Sequence, residues 1–266
     1  MAFSQAPSFA LTISQPSQEF SLSRDIRYWE DKTGKASLAS ATSALNAGEF
    51  MPVPPGSDVL NLGFTQSAYW ISVSLNRTPK TAESWVLEIP YLGINQVDLY
   101  APGQPLLRNG SLISVGNRPV YSRFYAFPVD LDTEPTTYYL RVSSTYPISL
   151  PVRLVELRQF YELQTWENLF QFLYFGGLMS LLIYNLMLFV MIRDDKYIIY
   201  SLFTLLTGMG IFAGNGYASI YLWPDSPYWD AIAQPVFMSL AGGVGVLFST
   251  RFLKTRRFLP KTHRAL

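Results

Sequence analysis

Three long runs without a charged residue dominate the second half of the chain. They cover residues 168–192, 197–224 and 231–250 and contain 25, 28 and 20 residues. A helix needs about 20 apolar residues to cross a hydrocarbon layer of about 30 Å, so each run is long enough. A soluble helical domain would show polar residues at helical period on an outer face, and these runs contain only scattered Ser, Thr, Asn and Gln. We therefore predict membrane-spanning helices near residues 169–192, 197–222 and 231–250.

The distribution of charge predicts how these helices are oriented. Residues 1–167 carry 12 Lys+Arg and 15 Asp+Glu, whereas residues 168–266 carry 8 and 4. Arg193 and Lys196 lie between the first two runs and six cations follow from Arg251 to Arg264, but the connection 223–230 has none. Lys and Arg favour the cytoplasmic side, so we expect the amino-terminal part outside and the carboxyl end inside. Three indole rings fall at the predicted outer ends, where they favour the membrane interface: Trp166, Trp223 and Trp229.

Polar and small residues inside the runs indicate that the helices need neighbours. Asn185, Asn215 and Gln234 carry amides that are costly in lipid, so they are expected to hydrogen-bond to another helix or to contact a ligand. Small residues that allow close helix packing occur around Gly176 and Gly243. We therefore expect a membrane part that oligomerises or packs against further helices, in contact with membrane lipid.

Residues 59–157 read as short strands separated by turns. At least six alternating segments recur about every ten residues, without helices between them, which is typical of an antiparallel sandwich. We assign residues 1–17 to an unstructured or export-related leader, 18–157 to an extracytoplasmic β-sandwich and 158–266 to the membrane part. Helices are predicted for Ser37 to Asn46 and for Glu156 to Glu167, the latter leading into the first span. The fold class is thus an all-β jelly-roll-like sandwich followed by α-helical transmembrane segments.

A series of short motifs carries a resemblance to a known family. In the first part they are Tyr69-Trp70, Val97-Asp98-Leu99-Tyr100, Arg123 and Phe124 before Phe127-Pro128, Tyr139-Leu140-Arg141-Val142 and Ser149-Leu150-Pro151. In the membrane part they are Tyr184-Asn185-Leu186, Asn215-Gly216, Tyr221-Leu222-Trp223-Pro224 and Arg251 to Arg257. In this order the chain resembles the bacterial seven-transmembrane receptors with diverse intracellular signalling modules, namely their type 2 extracellular domain and their membrane domain.

This resemblance implies a fold, a role and a location. It implies a jelly-roll outer domain that binds carbohydrate-like or other small ligands, and a cytoplasmic output domain, commonly a diguanylate cyclase or a histidine kinase. It also implies a bacterial inner-membrane receptor with a periplasmic sensor and a cytoplasmic carboxyl terminus. Because only three spans are present, we expect a fragment of a longer receptor.

A small set of aromatic and planar polar residues is the candidate ligand site. Sugar sites pair aromatic platforms with fixed donors and acceptors. The residues that fit are Tyr69, Trp70, Tyr91, Arg118, Tyr121 and Arg123. Each also has a structural interpretation, since Trp70 is typical of a strand core and both arginines are typical of strand surfaces.

The sequence contains no catalytic signature and predicts neither a cofactor nor a metal. The chain has no cysteine and one histidine, His263, in the basic end. The basic end favours anionic lipid over nucleic acid, for which no recognition fold accompanies it. The leading hypothesis is a sensory input module that is not itself an enzyme. The alternatives are a membrane-anchored carbohydrate-active hydrolase, which needs two suitably spaced carboxylates, and a transporter fragment, which needs polar groups along a path.

Overall fold

The computed structural model describes residues 10–14, 19–57 and 59–253, which group into two compact units, Met1–Leu163 and Gln164–Leu266. The strands are β1 Leu11–Ile13, β2 Glu19–Ser21, β3 Arg27–Asp31, β4 Met51–Pro52, β5 Leu60–Gly63, β6 Ala68–Arg77, β7 Ser84–Ile89, β8 Gln96–Tyr100, β9 Leu107–Asn109, β10 Tyr125–Asp130, β11 Thr136–Ser143, β12 Ile148–Leu150 and β13 Arg153–Glu156. The helices are α1 Leu38–Asn46, α2 Leu157–Ile192, α3 Asp195–Gly214, α4 Tyr217–Tyr221 and α5 Pro227–Phe252.

The first unit is a sandwich of mainly antiparallel sheets. The larger sheet has the order β4-β3-β6-β11-β8-β9, with β1 pairing in parallel with the end of β6. The second sheet has the order β10-β7-β13-β2, and β12 pairs with β5 in a small third sheet. The predicted all-β sandwich is confirmed, and its jelly-roll connectivity stays a prediction.

The core lies between the two main sheets because alternate residues of each strand point inward. Ile71, Val73 and Leu75 of β6 pack in one cluster with Trp85 and Leu87 of β7, and all five are buried. Burial of each large apolar side chain stabilises the fold by about 1.5–3 kcal/mol. This cluster accounts for the alternating pattern in the sequence.

The structure places a short strand within the predicted leader and divides one predicted strand. Residues 1–17 were assigned to an unstructured or export-related leader. Of these, Leu11–Ile13 form β1, and Ile13 is fully buried in the core; residues 1–9 and 15–17 lie outside the described part. A three-residue strand is too short to show a periodic pattern. The segment from Ile148 to Leu154 was read as one strand, but Pro151 divides it into β12 and the start of β13, since proline cannot donate to a strand ladder.

The predicted helix near Ser37 is present as α1. Ser37 caps it, because its hydroxyl accepts a hydrogen bond from the Ser40 backbone N–H at 3.3 Å. Small residues, Ala41 and Ala44, let α1 pack closely over Trp70 on the outer face of the larger sheet.

Helix α2 begins on the outer face of the second sheet. Phe160 packs there against Val86, Ala126 and Val155. Its predicted start at Glu156 differs from the observed start by one residue. The first turns of this helix therefore belong to the sandwich unit.

The second unit contains the apolar helices. Among the residues that the structure describes, three helices are long and apolar enough to cross a membrane, namely α2, α3 and α5. The middle run is not one helix, because the chain breaks at Asn215-Gly216, where Gly216 adopts a left-handed φ of 76° before α4. That conformation is open to glycine without strain.

A buried ion pair on the second sheet provides a test of the sandwich. Arg153 Nε lies 2.6 Å from Glu88 Oε2, and Glu88 is 1% exposed. We expect Arg153→Leu to lower the free energy of unfolding by about 3–5 kcal/mol, since it removes the guanidinium that compensates a buried carboxylate. The measurement is chemical denaturation of the reconstituted chain followed by tryptophan fluorescence.

The exposed pair Arg158–Glu162 on α2 supplies the matched control, at 3.1 Å. Arg158→Leu should leave the unfolding free energy nearly unchanged, because solvent screens exposed pairs. Equal effects of the two substitutions would contradict the assignment of a buried pair.

Candidate functional site

A cleft of about 850 Å³ opens at one end of the sandwich. It lies where β6 and β8 begin and β11 ends, since these strands are antiparallel neighbours in the order β6-β11-β8. Ser143 is the register partner of Gln96 at this edge. The lining residues of the described chain include amides, hydroxyls and apolar groups but no charged side chain: Phe64, Thr65, Gln66, Asn95, Gln96, Leu112, Ser143, Ser144 and Thr145.

Asn95 holds two walls of the cleft together. Its Oδ1 accepts hydrogen bonds from the Thr145 backbone N–H at 2.6 Å and the Thr145 hydroxyl at 2.8 Å. Its Nδ2 donates to Ser111 Oγ at 3.2 Å. A Cβ on Gly110 would overlap the Asn95 carbonyl group, so this close approach requires glycine. Asn95 therefore has a structural role in shaping the cleft.

Phe64 is the most exposed large apolar side chain in the cleft. It is 80% exposed, although the segment that carries it is anchored. Ser67 Oγ donates to Glu30 Oε1 at 2.7 Å, and the Ser67 N–H donates to Thr65 Oγ1 at 3.0 Å. An aromatic ring that faces solvent beside polar groups is a suitable platform for an amphipathic ligand.

Gln96 connects the cleft to the outer face of the larger sheet. Its Nε2 donates to Asp98 Oδ2 at 2.8 Å, because residues two apart on a strand share a face. The strand register places one row of side chains across this face: Trp29, Trp70, Arg141, Asp98 and Arg108.

Tyr100 lies one step further along the same face. Burial raises the pKa of the Tyr100 hydroxyl and the charge of Asp98 raises it further, while Arg141 and Arg108 oppose this shift. Arg141 Nη2 donates to the Gly34 carbonyl at 2.7 Å and so ties the β3–α1 connection to the sheet. The face beyond the cleft is therefore ionic and aromatic, whereas the cleft itself is neutral.

The residues predicted at the ligand site lie on different elements and faces of the sandwich. Tyr69 and Trp70 are consecutive on β6 and point to opposite faces. Tyr69 packs in the core between the sheets, and Trp70 is fully buried under α1. Burial raises the pKa of the Tyr69 hydroxyl, which a hydrogen bond to Thr65 opposes. Tyr91 packs against the core and donates its hydroxyl hydrogen to the Pro147 carbonyl at 3.1 Å.

The other three predicted residues share the segment between β9 and β10. Arg118 donates to the carbonyls of Ile113 and Ser122, each at 3.3 Å, so it braces the segment from within. Tyr121 is 61% exposed, and the Arg123 guanidinium lies 4.3 Å from the centre of the Phe124 ring. None of the six lines the cleft. Their role in binding stays a prediction. The signal that sequence reasoning missed was the cluster of polar residues at the start of β8 and the end of β11.

The polar residues predicted inside the membrane part have different partners. Asn215 Nδ2 donates to Gln171 Oε1 of α2 at 3.4 Å, and Asn185 Nδ2 donates to the Leu181 carbonyl of its own helix at 2.8 Å. Gln234 of α5 packs so closely on α3 that a Cβ on Gly214 would lie 2.5 Å from its Nε2. All three amides thus contact protein groups.

One polar and aromatic cluster joins α2 to α3 and α4. The Tyr217 hydroxyl donates to Asn168 Oδ1 at 3.0 Å, and Tyr217 is 1% exposed. Its ring lies 5.7 Å from Phe172 and 6.5 Å from Phe175, both on α2. At the opposite ends of α3 and α5, Arg251 Nη1 lies 3.1 Å from Asp195 Oδ2. Among the described residues, no group of three His, Cys, Asp or Glu is placed to hold a metal ion.

The sandwich, its uncharged cleft and the apolar helices define a membrane protein with an extracellular domain. Residues 23–156 match the family described as 7TMR-DISM extracellular 2, and residues 167–266 match the family described as 7TM diverse intracellular signalling. The chain belongs to this family of membrane receptors and is a signalling input module. No curated protein matches the chain.

The contacts of Tyr217 predict how firmly α2 is held. Tyr217→Phe removes the hydrogen bond to Asn168 but keeps the ring packing, so we expect α2 to separate more often from α3. A double cysteine variant, Leu178→Cys with Gly208→Cys, reports this separation, because a Cβ on Gly208 would lie 3.7 Å from Leu178 Cδ1. We expect oxidative crosslinking to slow by roughly threefold, because the lost intramembrane hydrogen bond contributes about 0.6 kcal/mol to holding the helices together.

Tyr221→Phe in the same cysteine background is the control, since Tyr221 is 52% exposed and contacts the cluster through its ring. The chain has no cysteine of its own, so the introduced pair is the only source of a disulfide. An unchanged crosslinking rate in Tyr217→Phe would contradict the role of this hydrogen bond.

Proposed function

We propose that the sandwich senses a small, uncharged, hydroxyl-rich ligand of the carbohydrate type, which binds in the cleft. The lining residues carry the proposal, because they combine an exposed aromatic ring with amides and hydroxyls. The C–H face of a sugar packs on an aromatic ring, while its hydroxyls need placed donors and acceptors. Phe64, Gln66, Gln96 and Ser143 supply both types of contact.

The composition of the cleft favours binding over hydrolysis. Glycoside cleavage by the common mechanism uses two carboxylates that flank the scissile bond. Within the described part of the chain the lining contains none. We therefore place this chain with receptors rather than with carbohydrate-active enzymes.

Signalling requires that the ligand binds two arrangements of the helices with different affinities. A ligand shifts the equilibrium between the two arrangements only by the difference between its binding free energies for them. Helix α2 is the covalent link, because it begins in the sandwich unit and ends in the membrane unit. We propose a bacterial inner-membrane receptor with the sandwich in the periplasm, a cytoplasmic carboxyl terminus and a cytoplasmic output such as a diguanylate cyclase or a histidine kinase. Lipid and further helices, or a second copy, would cover the apolar side chains that α2 exposes.

The ligand proposal predicts that a single substitution in the cleft weakens binding. The probes are D-glucose, D-galactose, maltose and cellobiose, titrated by calorimetry into the chain in nanodiscs. We expect at least one sugar to bind, and Phe64→Ala to weaken its binding roughly tenfold by loss of the aromatic platform, which is worth about 1.4 kcal/mol.

Tyr121→Ala is the matched control, because it removes an exposed aromatic residue outside the cleft. It should leave the affinity unchanged. A loss of binding in Tyr121→Ala but not in Phe64→Ala would move the site to the segment between β9 and β10. Absence of binding by all four sugars would refute the carbohydrate proposal.

The proposed orientation is tested with single cysteines in this cysteine-free chain. A membrane-impermeant maleimide added to spheroplasts should label Tyr121→Cys in the sandwich and should not label Lys196→Cys in the α2–α3 connection. Detergent should make both positions reactive. The reverse labelling pattern would overturn the orientation.

A further inference from the structure

The orientation of the Gln96 side-chain amide is determined by its neighbour. An ionised carboxylate only accepts hydrogen bonds, so the Gln96 atom 2.8 Å from Asp98 Oδ2 must be the NH₂ group. The alternative, with the Gln96 oxygen facing Asp98, would bring two acceptors together. The Gln96 oxygen therefore lies on the other side of the amide.

Asp98 is almost fully buried. It is 3% exposed in the middle of β8, between register partners Arg141 and Arg108. No ion pair within the described chain joins Asp98 to either arginine, and its Oδ1 is buried without a hydrogen-bond partner there. The side-chain hydrogen bond that Asp98 Oδ2 accepts comes from Gln96. This bond strongly favours the orientation of the Gln96 amide in which its NH₂ group faces Asp98.

The Gln96 oxygen remains available for a ligand. Gln96 is half-buried and lines the cleft, and no donor among the described residues bonds its Oε1. The neighbouring amide of Asn95 differs, since its Oδ1 is already occupied by Thr145 and its Nδ2 by Ser111. Of these two adjacent amides, Gln96 is the one whose oxygen has no hydrogen-bond partner among the described residues.

We infer that Asp98 is a positioning residue that makes the Gln96 contact in the cleft selective for hydrogen-bond donors. By holding the Gln96 amide with its oxygen toward the cleft, Asp98 requires a ligand hydroxyl or N–H at this point and disfavours an ether, a carbonyl or a carboxylate. This inference rests on the cleft proposed above as the ligand site, and it deepens that proposal by naming the chemistry of one contact.

The first test needs no ligand. In the full chain labelled with ¹⁵N-glutamine in nanodiscs, the Gln96 side-chain signals are those lost in Gln96→Leu. We expect exchange of the Nε2 protons with water to accelerate roughly fivefold in Asp98→Leu, which removes one hydrogen bond of ordinary net strength. Asp98→Asn keeps an acceptor and should restore slow exchange. Equal exchange in the wild type and in Asp98→Leu would overturn the positioning role.

The second test uses two probes that share a skeleton. Ethylene glycol offers two hydroxyl donors, whereas 1,2-dimethoxyethane offers only acceptors. We expect ethylene glycol to shift the Gln96 signals at concentrations roughly fivefold lower than 1,2-dimethoxyethane, and we expect Asp98→Leu to remove this preference while Asp98→Asn retains it. If Asp98 had only a structural role, Asp98→Leu would not change the ratio of the concentrations at which the two probes shift the Gln96 signals.

These outcomes separate the inference from the proposed function. If no sugar binds but the glycol preference depends on Asp98, the carbohydrate proposal fails and donor selection at Gln96 stands. If a sugar binds in the cleft and the two probes act equally on the wild type, the ligand site stands and donor selection is overturned.

Discussion

The pairing of β6 with β3 and β11 is the interaction on which the rest of the sandwich depends. This central strand sends Ile71, Val73 and Leu75 into the core between the sheets, and it sends Trp70 to the outer face beneath α1. Both faces of β6 are therefore buried, which explains a burial pattern with almost no exposed position along ten residues. A strand covered on both sides cannot change its register without moving every core side chain to the wrong face.

The cleft is a consequence of this arrangement. β6 begins, β11 ends and β8 begins at the same edge of the sheet. Three segments far apart in sequence therefore meet there, and they share no buried hydrophobic face. Polar side chains are tolerated there because they hydrogen-bond to one another, as Asn95 does with Thr145 and Ser111. The rigid ladder behind the cleft then holds these groups in place, which is the condition for recognising a small ligand with few contacts.

Local patterns predicted the elements of this protein better than the site. Alternating apolar residues predicted the sandwich, the charge-free runs predicted the long helices, and Ser37 marked the start of α1, because each signal lies within one segment. The cleft depends on pairing between segments such as 64–66 and 143–145, and no local pattern reports that pairing. Strand alternation places Tyr69 and Trp70 on opposite faces of β6, and their role in binding stays a prediction. Strand β1 was missed because three residues carry too little pattern.

The membrane unit combines firm and weak contacts in a way that suits a signalling protein. Helices α3 and α5 pack closely, with Gly210 and Gly214 admitting Met238 and Gln234, and an ion pair joins their ends through Arg251. Helix α2 is joined to them by aromatic contacts and by single hydrogen bonds such as that of Tyr217, each worth only about 0.6 kcal/mol in a membrane protein. A ligand that binds one helix arrangement tenfold more tightly than another supplies about 1.4 kcal/mol. The combined free energy of a few such hydrogen bonds is of similar size. For the proposed receptor function, a ligand with only a modest preference between two helix arrangements would be enough to shift the population of α2.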